Sequence, residues 1–398
     1  MSRNEMLMIL ITSLWAMGNT MSAVFVNVYL YAYTGSLVVM TIYCIVRIAQ
    51  FPLFFTLGGK WAQRQGFAPP LTTGVIVTML SLVYVLMMNE SFASQPYLVF
   101  VVALLVGIGE GFFWLSVNSL HQIVCGPEQR ARYLGNIGIF NNVANIIAPA
   151  LSTWIVSHSI NDTEGYVTIF KFVLVIYVVI VVSAAMVRAK SSAQKFSVLK
   201  CMPIIKDKTW RFTMIFTFMY GMRDAITLTL AGLLVYNATG GSGGIYGSLL
   251  TVFALISIVS YYIFSRRLRG KNLYRLFGIG SFLISSSTIV LVLVPNLFGA
   301  IYYGIVNAMA TPLYSNPYSL IAMNNIQKYA DHENMIGRVI VKEIYLSIGR
   351  CFGMFCIVMC SWVLSEKLYL PVSVIFCSLF PIFLYLYAKK HQSEQNVD

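Results

Sequence analysis

Six ionisable side chains stand inside long apolar runs: Arg47, Glu110, Arg223, Asp224, Glu343 and Arg350. An ionised group at a bilayer centre costs at least about 2.5–3.5 kcal/mol on insertion scales, so such residues face a cavity or a partner. Glu110 is the first candidate for proton coupling, and Asp224 the second. Burial disfavours the charged form of a carboxyl and lets it trade a proton with an aqueous crevice. The alternative for Glu110 is a structural carboxylate paired with Arg47. Arg223 could hold an anionic group or a carboxylate. Neighbouring helical residues point about 100° apart, so Arg223 and Asp224 cannot form a simple pair. Each needs its own partner, a solute or an interhelical salt bridge. Glu343 and Arg350 share one helix face at a separation of roughly 10 Å. Together with Arg47 they are predicted to form a gating or structural charge network. Lys171 and Lys342 lie nearer the ends of their runs, where the ammonium can snorkel.

Amides and aromatics add to this set. Asn19, Asn141, Asn145 and Asn307 are candidate substrate ligands, although interhelical hydrogen bonds are the commoner use of such groups. Asn141 and Asn145 share a helix face. Trp15, Phe113, Trp114 and Tyr220 are candidate wall residues. An aromatic-lined cavity suits amphiphilic or cationic organic compounds, and packing is the competing use.

The elements that must position these side chains follow from composition. Of 398 residues, 58% are hydrophobic and 10% charged, with a mean hydropathy of +0.75. A soluble domain carries about a quarter charged residues, so much of this surface must face lipid. Apolar runs sufficient to span a bilayer, roughly 20 residues each, lie near residues 6–32, 36–58, 70–88, 97–119, 134–156, 166–187, 211–236, 245–264, 273–294, 298–322, 336–363 and 368–388. The first run is too long for a signal-peptide core and reads as a retained helix.

The net charge of +13 would suit nucleic acid, but the basic residues sit in short gaps between the runs. One set of alternate gaps holds Lys60, Arg64, Arg130, Arg132, Arg188, Lys190, Lys195, Lys200, Lys206, Lys208, Arg266, Arg267, Arg269, Lys271, Lys328, Lys389 and Lys390. The other holds Glu90, Asp162, Glu164 and Glu366, with Lys367 as its clear base. The positive-inside rule puts both termini in the cytoplasm, which requires an even number of crossings. None of the seven cysteines falls in an external loop on this topology, which argues against a disulfide framework. No Cys/His spacing fits a zinc site.

The chain also repeats itself weakly. Gly18 and Tyr33 recur as Gly221 and Tyr236, and Gly135 recurs as Gly337. The run Gly107-Ile108-Gly109-Glu110 resembles Gly304-Ile305-Val306-Asn307. The gap after the second run reads Gly58-Gly59-Lys60-Trp61-Ala62-Gln63-Arg64-Gln65-Gly66. It resembles the G-x-L-A-D-R-x-G-R loop of the major facilitator superfamily. Gly59, Ala62, Arg64 and Gly66 match, and Gln63 replaces the acid. The fifth run is similar to the family exporters' G-x8-G-x3-G-P-x2-G-G, with Gly135, Ala144, Ala148, Pro149, Ser152 and Thr153 at matching spacing. The arginine that exporters carry in the fourth run is replaced by Ala103.

The resemblance implies an all-α polytopic membrane protein of twelve transmembrane helices in two pseudo-symmetric six-helix bundles. The bundles would be residues 1–188 and 211–398, joined by a basic cytoplasmic linker at 189–210. In that family the first, fourth, seventh and tenth helices line the central path, and Arg64 belongs to a cytoplasmic latch. The resulting expectation is a secondary transporter, moving a small organic solute by alternating access. Proton-coupled efflux is favoured, and uptake of a small nutrient or a non-transporting sensor or scaffold are the alternatives. Its partners would be a small-molecule substrate, protons and the lipid bilayer, without nucleic acid. It would act as a monomer in the plasma (inner) membrane, with no cofactor and no metal. An enzyme is disfavoured by the lack of paired histidines, a metal-ligand cluster or a nucleophile motif. The lack of a G-x4-G-K-[S/T] motif disfavours an ATP-driven pump.

Overall fold

The computed structural model describes residues 2–34, 37–88, 95–159, 162–187, 197–202, 207–240, 243–268, 272–328 and 335–395. Glu90, Arg188, Lys190, Lys195, Lys206, Arg269 and Lys271 lie outside the described residues, as do the side chains of Tyr33, Thr153, Asp162, Glu366 and Lys367.

The described backbone is helical, in the order α1 (Arg3–Thr34), α2 (Leu37–Ala49), α3 (Phe51–Gln65), α4 (Ala68–Met88), α5 (Val99–Val124), α6 (Arg130–Ser157), α7 (Asp162–Ala185) and α8 (Val198–Cys201). It continues with α9 (Lys208–Thr229), α10 (Ala231–Ala238), α11 (Gly243–Ser265), α12 (Asn272–Leu293), α13 (Leu297–Lys328), α14 (Met335–Val363), α15 (Glu366–Ser378) and α16 (Phe380–Gln395). Three of the apolar runs are helices with a short interruption, at Gln50, Leu230 and Leu379. Two of the breaks have a local cause. Pro52 and Pro381 lack the N–H that would continue the ladder. With these halves joined and the single turn α8 set aside, the described helices form twelve long runs at the twelve expected places. Nine stretches among the described residues are long and apolar enough to cross a membrane. Their outer faces carry large bare apolar side chains such as Leu53, Met87, Trp362 and Val363. Such faces are stable in hydrocarbon and costly in water.

The chain divides into two compact units. One comprises Met1–Gly126, Phe140–Val198 and His332–Ile340, and the other Pro127–Ile139, Leu199–Asp331 and Val341–Asp398. In the first unit α5 is the hub, touching α1, α2, α3 and α4. Small residues let it do so. A Cβ on Gly74 of α4 would stand 2.6 Å from the Gly109 carbonyl oxygen of α5, so these helices meet backbone to backbone. In the second unit α13 is the hub, touching α9, α10, α11 and α12. There Gly280 of α12 meets Leu313 of α13 in the same way, at 2.6 Å from its carbonyl carbon. Gly221 of α9 seats against the Leu346 carbonyl and the Arg350 amide of α14.

Candidate functional site

Among the described residues each unit holds a carboxylate–arginine pair that ties two helices together. In the first, Arg47 of α2 grips Glu110 of α5 in a two-pronged fork. Arg47 Nε donates to Glu110 Oε2 at 2.6 Å, and Nη2 donates to Oε1. The planar guanidinium matches both carboxylate oxygens at once. The Glu110 side chain is buried and that of Arg47 about a third exposed. Gly107, one turn before Glu110, lies against the Arg47 carbonyl, so the hub helix comes close enough for the fork to close. Gln50 braces the same corner by donating from Nε2 to the Val46 carbonyl at 3.0 Å and the Ala103 carbonyl at 3.4 Å.

Aromatic side chains build up on the adjoining face. Phe113 follows Glu110 by three residues and therefore projects to the same side of α5. Trp15 of α1 stacks on it with ring centroids 3.7 Å apart and on Tyr177 of α7 at 5.5 Å. Trp114 meets Phe113 edge-on. The Tyr177 hydroxyl donates to Asn19 Oδ1 at 3.2 Å. Asn141 and Asn145, one turn apart on α6, accept from Ser13 Oγ at 3.2 Å and Thr20 Oγ1 at 2.8 Å on α1. These three amides thus serve as interhelical links. The buried Trp15 Nε1 has no hydrogen-bond partner among the described residues. Arg64 stands apart at the exposed end of α3. The turn after it needs the motif glycine, because Gly66 sits at φ 85° and ψ −179°, a region essentially reserved for glycine.

In the second unit Asp224 of α9 pairs with Arg350 of α14. Arg350 Nε donates to Asp224 Oδ2 at 2.8 Å, and Nη2 lies 2.7 Å from the same oxygen. Arg223 turns the other way. Its Nη2 donates to Asn307 Oδ1 of α13 at 3.1 Å, and its guanidinium carbon lies 5.7 Å from the centre of the Tyr314 ring. Among the described residues no carboxylate stands within ion-pair distance of Arg223. Tyr220 stacks on Tyr318 at 3.7 Å and on Tyr314 at 5.2 Å, and its hydroxyl donates to Ser315 Oγ at 3.3 Å. Glu343 is buried and bonds to Lys342 Nζ at 2.6 Å. Arg350 lies within electrostatic reach of it.

The structure therefore gathers Trp15, Asn19, Arg47, Glu110, Phe113 and Trp114 in one unit, and Tyr220, Arg223, Asp224, Asn307 and Arg350 in the other. Sequence reasoning passed over Tyr177, Tyr314, Tyr318, Ser13 and Thr20. The two α13 tyrosines had a signal, since Tyr314 and Tyr318 are one turn apart and face the same way. Tyr177 lies in a helix not expected to line the path, and nothing in its local sequence marks it.

A family model described as Major Facilitator Superfamily matches residues 8–340. The uncharacterized protein YqgE of Bacillus subtilis (strain 168) is 26% identical over 391 residues, covering 97% of this chain and 90% of its own length. An uncharacterized protein from the sodM 3' region of Geobacillus stearothermophilus is 30% identical over 169 residues, covering 42% of this chain and 77% of its own. The crystal structure of the E. coli fucose:proton symporter FucP superposes with a TM-score of 0.69 at 11% identity, covering 97% of each chain. A bacterial homologue of the iron transporter ferroportin in its outward-facing state superposes with a TM-score of 0.71 at 12% identity, covering 98% of this chain and 100% of its own. At these identities the two structures share the fold.

Proposed function

The chain belongs to the Major Facilitator Superfamily, and within it we propose a proton-coupled efflux carrier that exchanges protons for a small organic solute. It is a multi-pass membrane transporter and not an enzyme. The proposed setting is the plasma membrane, with both termini cytoplasmic, residues 1–188 and 211–398 as the two bundles, and a monomer as the working unit.

One observation carries the reading: each unit spends a mid-span carboxylate on an arginine from another helix, Glu110 on Arg47 and Asp224 on Arg350. A neutral acid cannot hold a guanidinium as an ion does. A proton arriving at Glu110 or Asp224 would loosen the tie between two helices, which is what coupling a proton to a conformational change requires. Arg223 supports an anionic handle on the solute, because among the described residues its charge has an amide and a ring face but no carboxylate. The Tyr314 face is already taken by that guanidinium, which favours an anionic solute over a cationic one. The half-buried Tyr220, whose faces lie against Tyr314 and Tyr318, would offer its ring edge to an apolar or aromatic body. The exporter-like spacing of Gly135, Ala144, Ala148, Pro149 and Ser152 favours the outward direction.

The test is flux in proteoliposomes after a pH jump, run with anionic aromatic solutes and in both gradient directions. Efflux predicts solute movement against the proton gradient, whereas co-movement with protons would mark uptake. Glu110→Gln and Asp224→Asn should each cut proton-driven flux at least about tenfold, the scale of one lost acid–base step being about 10²–10⁴. Unchanged flux in both variants would sink the coupling role, and binding without any flux would favour a sensor.

A further inference from the structure

A groove of about 680 Å³ runs between α12 and α16 in the second unit. Two cations guard one end, Arg275 in the first turn of α12 and Lys389 in the last turns of α16. Neither forms a salt bridge among the described residues. None of the side chains lining the groove is acidic. Beyond the cations the wall becomes apolar, with Ile279, Phe282 and Leu283. Arg275, Ile279 and Phe282 share one helix face, and a rise of 1.5 Å per residue puts Phe282 about 10 Å deeper than Arg275. Tyr385 forms the floor, edge-on to Phe282 at 6.4 Å. Gly278 makes room for it, since a Cβ there would stand 2.7 Å from the Tyr385 ring.

The groove is therefore amphipathic along its length, cationic at one end and greasy at the other. Its apolar wall opens to the lipid side, for Ile279 is 44% and Phe282 52% exposed. The cationic end is the start of α12, which follows Arg266 and Arg267 closely in the chain, on the face where anionic headgroups attract basic residues. A small soluble anion would leave the apolar wall uncovered. We propose that this groove binds an anionic diacyl phospholipid of the phosphatidylglycerol class. Arg275 and Lys389 hold the headgroup phosphate, and one acyl chain lies along Ile279, Phe282 and Leu283.

The experiment uses the full-length chain in neutral detergent. Retained lipid is read by native mass spectrometry and thermal unfolding by intrinsic fluorescence. Dioleoyl-phosphatidylglycerol, dioleoyl-phosphatidylcholine and inorganic phosphate are added in separate arms. Phosphatidylglycerol should be retained and raise the melting temperature, and the other two should not. Arg275→Gln with Lys389→Gln should weaken its retention about thirty-fold, at the usual worth of two surface cations near anionic lipid. Arg266→Gln with Arg267→Gln removes the same charge outside the groove and should weaken retention clearly less than the groove pair does. If the first double variant does not fold, Lys389→Gln alone is expected to lose about fivefold, since the residue is exposed. Equal retention by wild type and the groove variants, an equal response to phosphatidylcholine, or a full response to inorganic phosphate alone overturns the proposal.

Discussion

At the scale of single residues, the two ion pairs are alike in chemistry and unlike in setting. Glu110 is buried and doubly held, while Asp224 and Arg350 keep side-chain exposures of 15% and 19%. Removing Arg47 strands the buried Glu110 charge, at a cost below that of a fully buried pair, about 3–5 kcal/mol, because Arg47 is itself about a third exposed, whereas removing both is often neutral. Arg47→Ala should therefore destabilise the fold more than Arg47→Ala combined with Glu110→Ala. A detergent melt with both variants checks this, and equal losses would mean that the fork contributes nothing as a pair. Arg223 makes a different prediction. Arg223→Gln should raise KM for anionic solutes at least about tenfold, the scale of losing a hydrogen bond to a charged group, and leave neutral solutes nearly unaffected.

At the scale of elements, glycine placement decides how close helices come. Gly74 faces the α5 backbone, so Gly74→Leu should push α4 from α5 and abolish the monodisperse peak in fluorescence-detected size exclusion. Gly66 is the opposite case. A methyl there would meet nothing within 4 Å, yet φ is 85°. Gly66→Ala should thus cost only the backbone strain of about 1–3 kcal/mol, seen as a lower melting temperature without loss of assembly. The sequence motif at the α3 end is legible in these terms. Gly66 and Ala62 shape the turn, with the Gly66 amide donating to the Ala62 carbonyl at 2.8 Å. The amide ladder between α1 and α6 should matter less, because single interhelical hydrogen bonds in membranes average about 0.6 kcal/mol.

At the scale of the whole molecule, the prediction is topological. Reporter fusions after Gln65, Gly126, Leu268 and Lys328 should give the cytoplasmic signal, and fusions within residues 89–94 and 295–296 the external one. An odd number of crossings would contradict the charge alternation on which the orientation rests. The described helices are not uniform in polarity. Nine stretches meet a strict length and apolarity requirement, while α9 carries Arg211, Arg223 and Asp224 within one run. A helix enriched in polar groups can still be one of the runs when its charges find partners inside its own unit.

What the sequence determined by itself was the solvent, the number of runs and the residue types that could not be left facing lipid. Those follow from local hydropathy, charge spacing and the cost of burying an ion, none of which needs distant contacts. It also told that Arg223 and Asp224 must part ways, because helix geometry sets their directions. Only the tertiary structure decided the partners. Arg350 lies 126 positions from Asp224, and Arg47 lies 63 from Glu110. Glu343 turned to its neighbour Lys342. Tyr177 reached Trp15 across 162 positions of chain. Such choices depend on where glycines allow two helices to touch and on which side chains then fall opposite each other, and a one-dimensional pattern carries neither.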